Sequence, residues 1–190
     1  MTTVSIIGSG NMGNAIGAIV AAGGNTVEFI GRDASEAVNG DIVILAVPHP
    51  ALDEIVATRG AQLAGKIVVD ITNPLDFETF DSLVVPADSS AAAVIATALP
   101  QSRVLKAFNT NFAATLASGT VGPVPTTVLI AGDDADAKAL LAEIISADGL
   151  NAIDAGSLRR ARELEAIGFL QLTLAAGEKV SWAGGFGVAA

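Results

Sequence analysis

From Val4 to Gly17 the chain reads VSIIGSGNMGNAIG, an apolar β-pattern that enters a helical pattern through a glycine turn. Few folds accommodate this, because each glycine answers a separate steric need. Gly8 permits the tight turn, Gly10 lets a pyrophosphate approach the backbone, and Gly13 allows helix and strand to pack closely. The helix N-terminus behind them offers unpaired amides to phosphate oxygens. Context gives the motif weight: a strand precedes it, a helix follows, and a second strand, Thr26–Ile30, ends about twenty residues further on.

That second strand runs into Gly31-Arg32-Asp33. A ribose-binding carboxylate is the usual residue at this point for an unphosphorylated dinucleotide. Here Gly31 leaves space and Arg32 supplies a cation suited to a 2′-phosphate. The pair points to NADP(H), with Asp33 as the competing acid that would favour NAD.

Further apolar β-rich runs at Ile42–Val47, Lys66–Ile71, Val104–Phe108 and Thr127–Ala131 alternate with helical patterns. Alternation of this kind predicts an α/β fold, a Rossmann-type doubly wound parallel sheet with helices on both faces. The first helix is expected from Asn11 to Gly23-Gly24. Only a short helix or an abbreviated loop fits between Arg32 and Gly40. Helices are expected over Ala51–Ala57, Ser89–Leu99 and Asp133–Ala147, a surface loop or lid over Asp76–Ser89, and a turn over Gly119–Pro125. A long amphipathic helix over Ser157–Ala176 forms a C-terminal extension, its apolar positions Leu158, Ala161, Leu164, Ala166, Ile167, Leu170 and Leu174. The charges of its first half, Arg159, Arg160, Arg162, Glu163 and Glu165, read as a solvated face. The apolar, glycine-rich tail from Trp182 to Val188 is expected to pack on this subunit or a neighbour, which suggests a homodimer. Residues 1–190 are read as one domain, with 157–190 as its helix and tail.

Composition narrows the function classes. The chain has no cysteine and one histidine, His49, so neither a thiolate nucleophile nor a Cys- or His-rich metal site is available. A formal charge of -10 disfavours nucleic acid and anionic membranes as partners. No apolar run reaches the roughly 18 residues of a membrane span, and the N-terminus lacks the basic region of a signal peptide. A cytoplasmic protein acting on small molecules is the expectation.

In a doubly wound sheet a ligand lies beyond the carboxyl ends of the strands. Val47 and Pro48, with Asn73 and Pro74, stand at two such ends and would contact a nicotinamide ring. Hydride transfer asks chiefly for placement and exclusion of water, since the cofactor supplies the electrons. His49 is a candidate proton donor or ring contact, or simply a packing residue. Thr110 is the other candidate donor.

Taken together, the fingerprint Gly8–Gly13, the block Val104–Thr110, the segment Val128–Asp134 and the stretch Asp154–Leu158 resemble, in order, the F420-dependent NADP oxidoreductases. They also resemble the related cytosolic oxidoreductase domain of the STEAP metalloreductases. The resemblance implies hydride transfer between NADPH and a flavin or deazaflavin: F420, FMN or FAD. It implies that Ser9, Asn11 and Met12 join the phosphate loop, that Arg32 meets the 2′-phosphate, and that Pro48 and His49 lie near the nicotinamide. Asn109 matches a pocket histidine of the F420 enzymes and so becomes a catalytic candidate, while Phe186 falls in a stretch that packs on the deazaflavin. The chain departs from the F420 pattern in the shortened segment after Arg32, in Asp33 for a basic residue, in His49 for a tryptophan, and in Asn109 itself. Two other readings stand beside this one: an imine or carbonyl reductase of the pyrroline-carboxylate reductase type, and a non-catalytic NADP-binding redox sensor.

Overall fold

The structure, a computed structural model, describes residues 1–189. β1 (Thr3–Ile7) leads through the glycine turn into α1 (Asn11–Ala22), and β2 (Thr26–Ile30) returns beside β1. The chain then crosses to the other side of β1 for β3 (Ile42–Leu45), so the strand order reverses between β1 and β3. A 3-10 turn over His49–Ala51 opens α2 (Leu52–Leu63), followed by β4 (Ile67–Asp70), α3 (Ala91–Ala98) and β5 (Arg103–Lys106). Next come α4 (Ala113–Ser118), a small hairpin of β6 (Thr120–Val121) and β7 (Val124–Pro125), β8 (Thr127–Gly132), α5 (Ala135–Ser146) and β9 (Asn151–Gly156). α6 (Ala161–Ala176) follows a 3-10 turn over Leu158–Arg160.

Seven strands form one sheet in the order β2-β1-β3-β4-β5-β8-β9. β3 shows why its residues make a central strand: Ile42, Val43, Ile44 and Leu45 are all fully buried. Ile42 and Ile44 pack on one face with Ile16 and Ile19 of α1 and Leu141 of α5. Val43 and Leu45 pack on the other with Leu52 and Leu63 of α2 and Ile95 of α3. Each such side chain contributes roughly 1.5–3 kcal/mol by leaving water. With apolar side chains on both faces, the strand needs helices above and below it.

Three sequence expectations are corrected here. The sheet is not wholly parallel: the connection through α4 and the hairpin brings β8 back antiparallel to β5. β9, unrecognised in a segment as polar as NAIDAG, then pairs parallel with β8 as an edge strand. The segment from Arg32 to Gly40, by contrast, is the abbreviated loop that its length allowed.

The third correction concerns α6, whose buried stripe is Ala161, Leu164, Glu165, Gly168, Gln171 and Ala175. Ile167 and Leu170, placed by spacing on the helix's apolar face, are 38% and 50% exposed. Glu165, assigned to a solvated face, is buried between α6, α3 and the sheet. Its carboxylate lies 2.8 Å from Lys106 Nζ, which also lies 2.7 Å from Asp70, and all three side chains are essentially inaccessible. The Lys106 ammonium further donates to the carbonyl of Thr72, and Glu165 accepts from the backbone amide of Ala91 at 3.0 Å. Two carboxylates and one ammonium therefore tie together β4, β5, α3 and α6.

The C-terminal tail packs on its own chain. Phe186 donates its amide to Gln171 at 2.8 Å, and the Trp182 ring lies 5.1 Å from that of Phe112. No helix among the described residues is long and apolar enough to cross a membrane.

Candidate active site

The strand-order reversal opens a crevice at the carboxyl ends of β1 and β3, where doubly wound sheets receive ligands. Gly8 sits there with φ of 110°, a left-handed conformation that a side chain strongly disfavours. A Cβ at Gly8 would also run into the backbone carbonyl of Ala46, and one at Gly13 into the carbonyl of Gly8. At Gly10 the corresponding space is open, with no atom within 4 Å. α1 begins immediately behind it without a side-chain cap and without an acid in its first turn, whereas α3 and α5 are capped by Ser90 and Asp134. The first amides of α1 are left free for an anion. These features fit a dinucleotide pyrophosphate.

Two recesses flank the glycine turn. One, of about 590 Å³, runs from Gly8, Ser9 and Gly10 across Gly31 and Arg32 to Val47, Pro48 and α2. The other, of about 430 Å³, is walled by Asn11, Met12, Asn73, Asn109, Asn111, Phe108, Phe112 and Trp182, among others. Thus the expected residues of the phosphate loop and the ribose end, together with Pro48 and Asn73, divide between two spaces that meet at the turn.

The second recess is apolar apart from its asparagines, and no titratable side chain lines it. Asn109 donates its amide to the Asn73 side chain and to the Leu164 carbonyl, each at 2.8 Å. Asn73 in turn donates to the Asn109 carbonyl at 2.8 Å, so these two side chains fasten the ends of β4 and β5 to α6. Asn111 donates to the Thr127 carbonyl at 3.0 Å. The side-chain oxygens of Asn109 and Asn111 are both buried without a hydrogen-bond partner among the described residues. Phe108, a neighbouring wall, has φ of 62°, a conformation that costs on the order of 1–3 kcal/mol outside glycine. It turns the chain so that Asn109 and Asn111 both border the same space.

Several expected site residues lie elsewhere. Thr110 is buried and walls neither recess; its carbonyl accepts from Gln171 at 3.2 Å. Phe186 is 42% exposed and its ring lies outside the recess, which Trp182 lines instead. Pro74 is buried and holds the following loop through its carbonyl, which accepts from Val84 at 2.7 Å. Asn111 and Trp182 escaped sequence reasoning, since a polar residue after a strand and an aromatic in a tail carry no periodic signal.

His49 also lies outside both recesses, against α2 and α3 in a groove of about 160 Å³ with Leu52, Val56 and Val94. Its Nδ1 is buried and unpartnered among the described residues. Burial, the largest influence, holds its pKa below the ordinary 6.5 despite the opposing fields of Asp70 and Glu165. The ring is therefore neutral at neutral pH and a weak proton donor. As pH falls the unfolded chain takes up this proton first, so the contribution to stability is intact above about pH 6.5 and is lost progressively below it. His49→Gln is accordingly expected to flatten part of the decline in melting temperature between about pH 7 and pH 5. Superimposable pH profiles for the two proteins would refute this.

Residues 26–74 match the family described as NADP oxidoreductase, coenzyme F420-dependent. The chain is 33% identical over 178 residues to the F420-dependent NADP reductase of Methanothermobacter thermautotrophicus, covering 86% of this chain and 76% of that protein. It is 33% identical over 149 residues to the F420-dependent NADP reductase of Methanocaldococcus jannaschii, covering 76% of this chain and 66% of the relative's length. Metalloreductase STEAP3 of Rattus norvegicus is 36% identical over 132 residues, which are 70% of this chain and 26% of that protein. The crystal structure of a protein assigned as an F420-dependent NADP reductase from Arthrobacter sp. FB24 superimposes over 100% of both chains with a TM-score of 0.87. At 24% identity that likeness speaks to the fold. Fingerprint, fold and relatives agree: the chain belongs to the F420-dependent NADP oxidoreductase family.

Proposed function

We propose that the protein transfers a hydride between NADP(H) and a planar deazaflavin or flavin ring, with F420 as the first candidate acceptor. One observation carries the reading. The recess beside the dinucleotide fingerprint has aromatic walls and no titratable side chain. Such walls suit a flat ring, which they can stack against or meet edge-on.

In this reading α1 and the glycine turn hold the pyrophosphate, Val47 and Pro48 contact the nicotinamide side, and the second recess takes the acceptor. Asn73 and Asn109 keep the ends of β4 and β5 fixed where the two rings would meet. Bound there, NADPH would supply the hydride to the acceptor ring, and the accompanying proton would come from solvent. No protein acid is needed, which accords with a recess without titratable groups and with His49 lying neutral outside it. An imine reductase needs a donor at the substrate nitrogen, and the recess lining supplies none. Ile167 and Leu170, exposed on α6, are consistent with the homodimer expected from the sequence.

Stopped-flow mixing with NADPH should show nicotinamide and F420 absorbance falling together in equal amounts. Turnover of FMN or FAD with none of F420 would transfer the reading to a flavin reductase. Tight NADPH binding with no turnover across all three would replace it by the redox-sensor reading.

A further inference from the structure

We propose that Glu36 sets the choice between phosphorylated and unphosphorylated nicotinamide dinucleotide, and that it does so by occupying the 2′ position at the end of β2. The inference rests on the dinucleotide reading of the first recess. Gly31 was expected to leave room there for a phosphate. Instead its backbone amide donates to Glu36 Oε2 at 2.8 Å, and that oxygen lies 3.3 Å from where a Gly31 Cβ would be. Asp33, the acid that sequence reasoning suspected, is turned away. Its carboxylate accepts from the Ser35 amide at 2.9 Å and the Ser35 hydroxyl at 2.8 Å, and those bonds hold its pKa below the usual carboxylate range.

The loop that presents Glu36 is held from beneath by Arg59, whose guanidinium is almost inaccessible. It donates to the carbonyls of Glu36 at 2.8 Å and Gly31 at 3.1 Å, and also to that of Asp33. With its donors directed at carbonyls, Arg59 is not free to receive a phosphate. Arg32, exposed on the recess and without an ion pair among the described residues, is left as the free cation at this end. Glu54 is the carboxylate on the lining of this recess, and Glu36 stands at its edge through the Gly31 amide.

The two dinucleotides meet this arrangement differently. A 2′-hydroxyl can donate to the Glu36 carboxylate as it stands. A 2′-phosphate meets like charge and has to displace Glu36 from the Gly31 amide, after which that amide and Arg32 become its donors. Because the Glu36 side chain is exposed while its backbone is fastened, displacement is a rotamer change and leaves the loop in place. Selectivity for NADPH over NADH is therefore compressed, and NADH is an effective ligand of the native protein.

Isothermal titration of the full chain with NADPH and with NADH, without any acceptor, tests this. Glu36→Gln keeps an acceptor for the Gly31 amide and removes the charge. NADPH is expected to bind about tenfold tighter and NADH several-fold weaker, the change made by one charge-assisted contact. Opposite signs for the two cofactors cannot come from a damaged loop. Equal changes in the same direction, no change, or any result in which NADPH fails to gain on NADH would overturn the proposal. Failure of F420 reduction leaves these titrations readable, whereas a native protein that binds neither cofactor would overturn both readings.

Discussion

Lys106→Met is expected to lower the unfolding free energy by about 3–5 kcal/mol, the usual effect of stripping the partner from a buried charge. The reason lies in the imbalance of the cluster. Lys106 is the single cation facing Asp70 and Glu165, both almost wholly inaccessible, and methionine would leave two carboxylates confined against each other. Each would keep backbone donors, Thr72 for Asp70 at 2.8 Å and Ala91 for Glu165 at 3.0 Å, but none that neutralises charge. For a domain of this size the loss corresponds to a melting temperature lower by roughly 10 °C. Glu165→Gln should cost less, because one carboxylate and the ammonium remain paired. Urea unfolding of the three proteins decides it, and a loss below about 1 kcal/mol for Lys106→Met would mean the cluster is not held as a charged unit.

The second large effect falls on binding and spares the fold. Gly10→Asp is expected to abolish NADPH binding to within measurement, a loss of about 100-fold or more, while the melting temperature holds or rises slightly. Gly10 occupies the N-cap of α1 with φ of -74°, which any residue adopts, and nothing crowds its missing Cβ. An aspartate there can accept from the free amides of the first turn, as Asp134 does from Ala137 at 2.8 Å at the start of α5. It would thereby take the donors and the space that the pyrophosphate needs, and set a negative charge against it. Retained NADPH affinity in a folded Gly10→Asp protein would remove the glycine turn from the binding site. Calorimetry for binding and thermal melting for stability separate the two effects.

The contrast between these substitutions marks where sequence reasoning held and where it stopped. The glycine turn, α1 and the first strands were legible because their signals are local: strand burial, helical periodicity and glycines required by turn geometry lie within a few dozen neighbouring residues. The prolines and asparagines at strand ends were legible by position for a related reason, since the fold puts every such end on one edge. α6 was misread because helical spacing identifies a stripe without saying which stripe faces inward. Periodicity favoured Ile167 and Leu170, whereas the partners waiting in the core, Lys106 and the amides of α3, drew Glu165 inward and left those two residues out.

The ribose end shows the same limit at the site itself. Arg32 and Asp33 were the visible candidates because they directly follow β2, yet the carboxylate on the Gly31 amide is Glu36, five residues away through a loop without periodicity. Arg59, which fixes that loop, lies in α2, 28 residues from Gly31. By itself the sequence determined the Rossmann-type architecture, the dinucleotide turn and the family, all of which rest on short-range patterns that constrain backbone conformation directly. Only the tertiary structure decided which charges are buried, which asparagine oxygens remain unpaired, and which carboxylate sits on the Gly31 amide. Those depend on contacts such as Lys106 with Asp70, 36 residues apart, and Glu165 with Ala91, 74 apart, whose energies exist only once the sheet has brought distant segments together and removed the water between them.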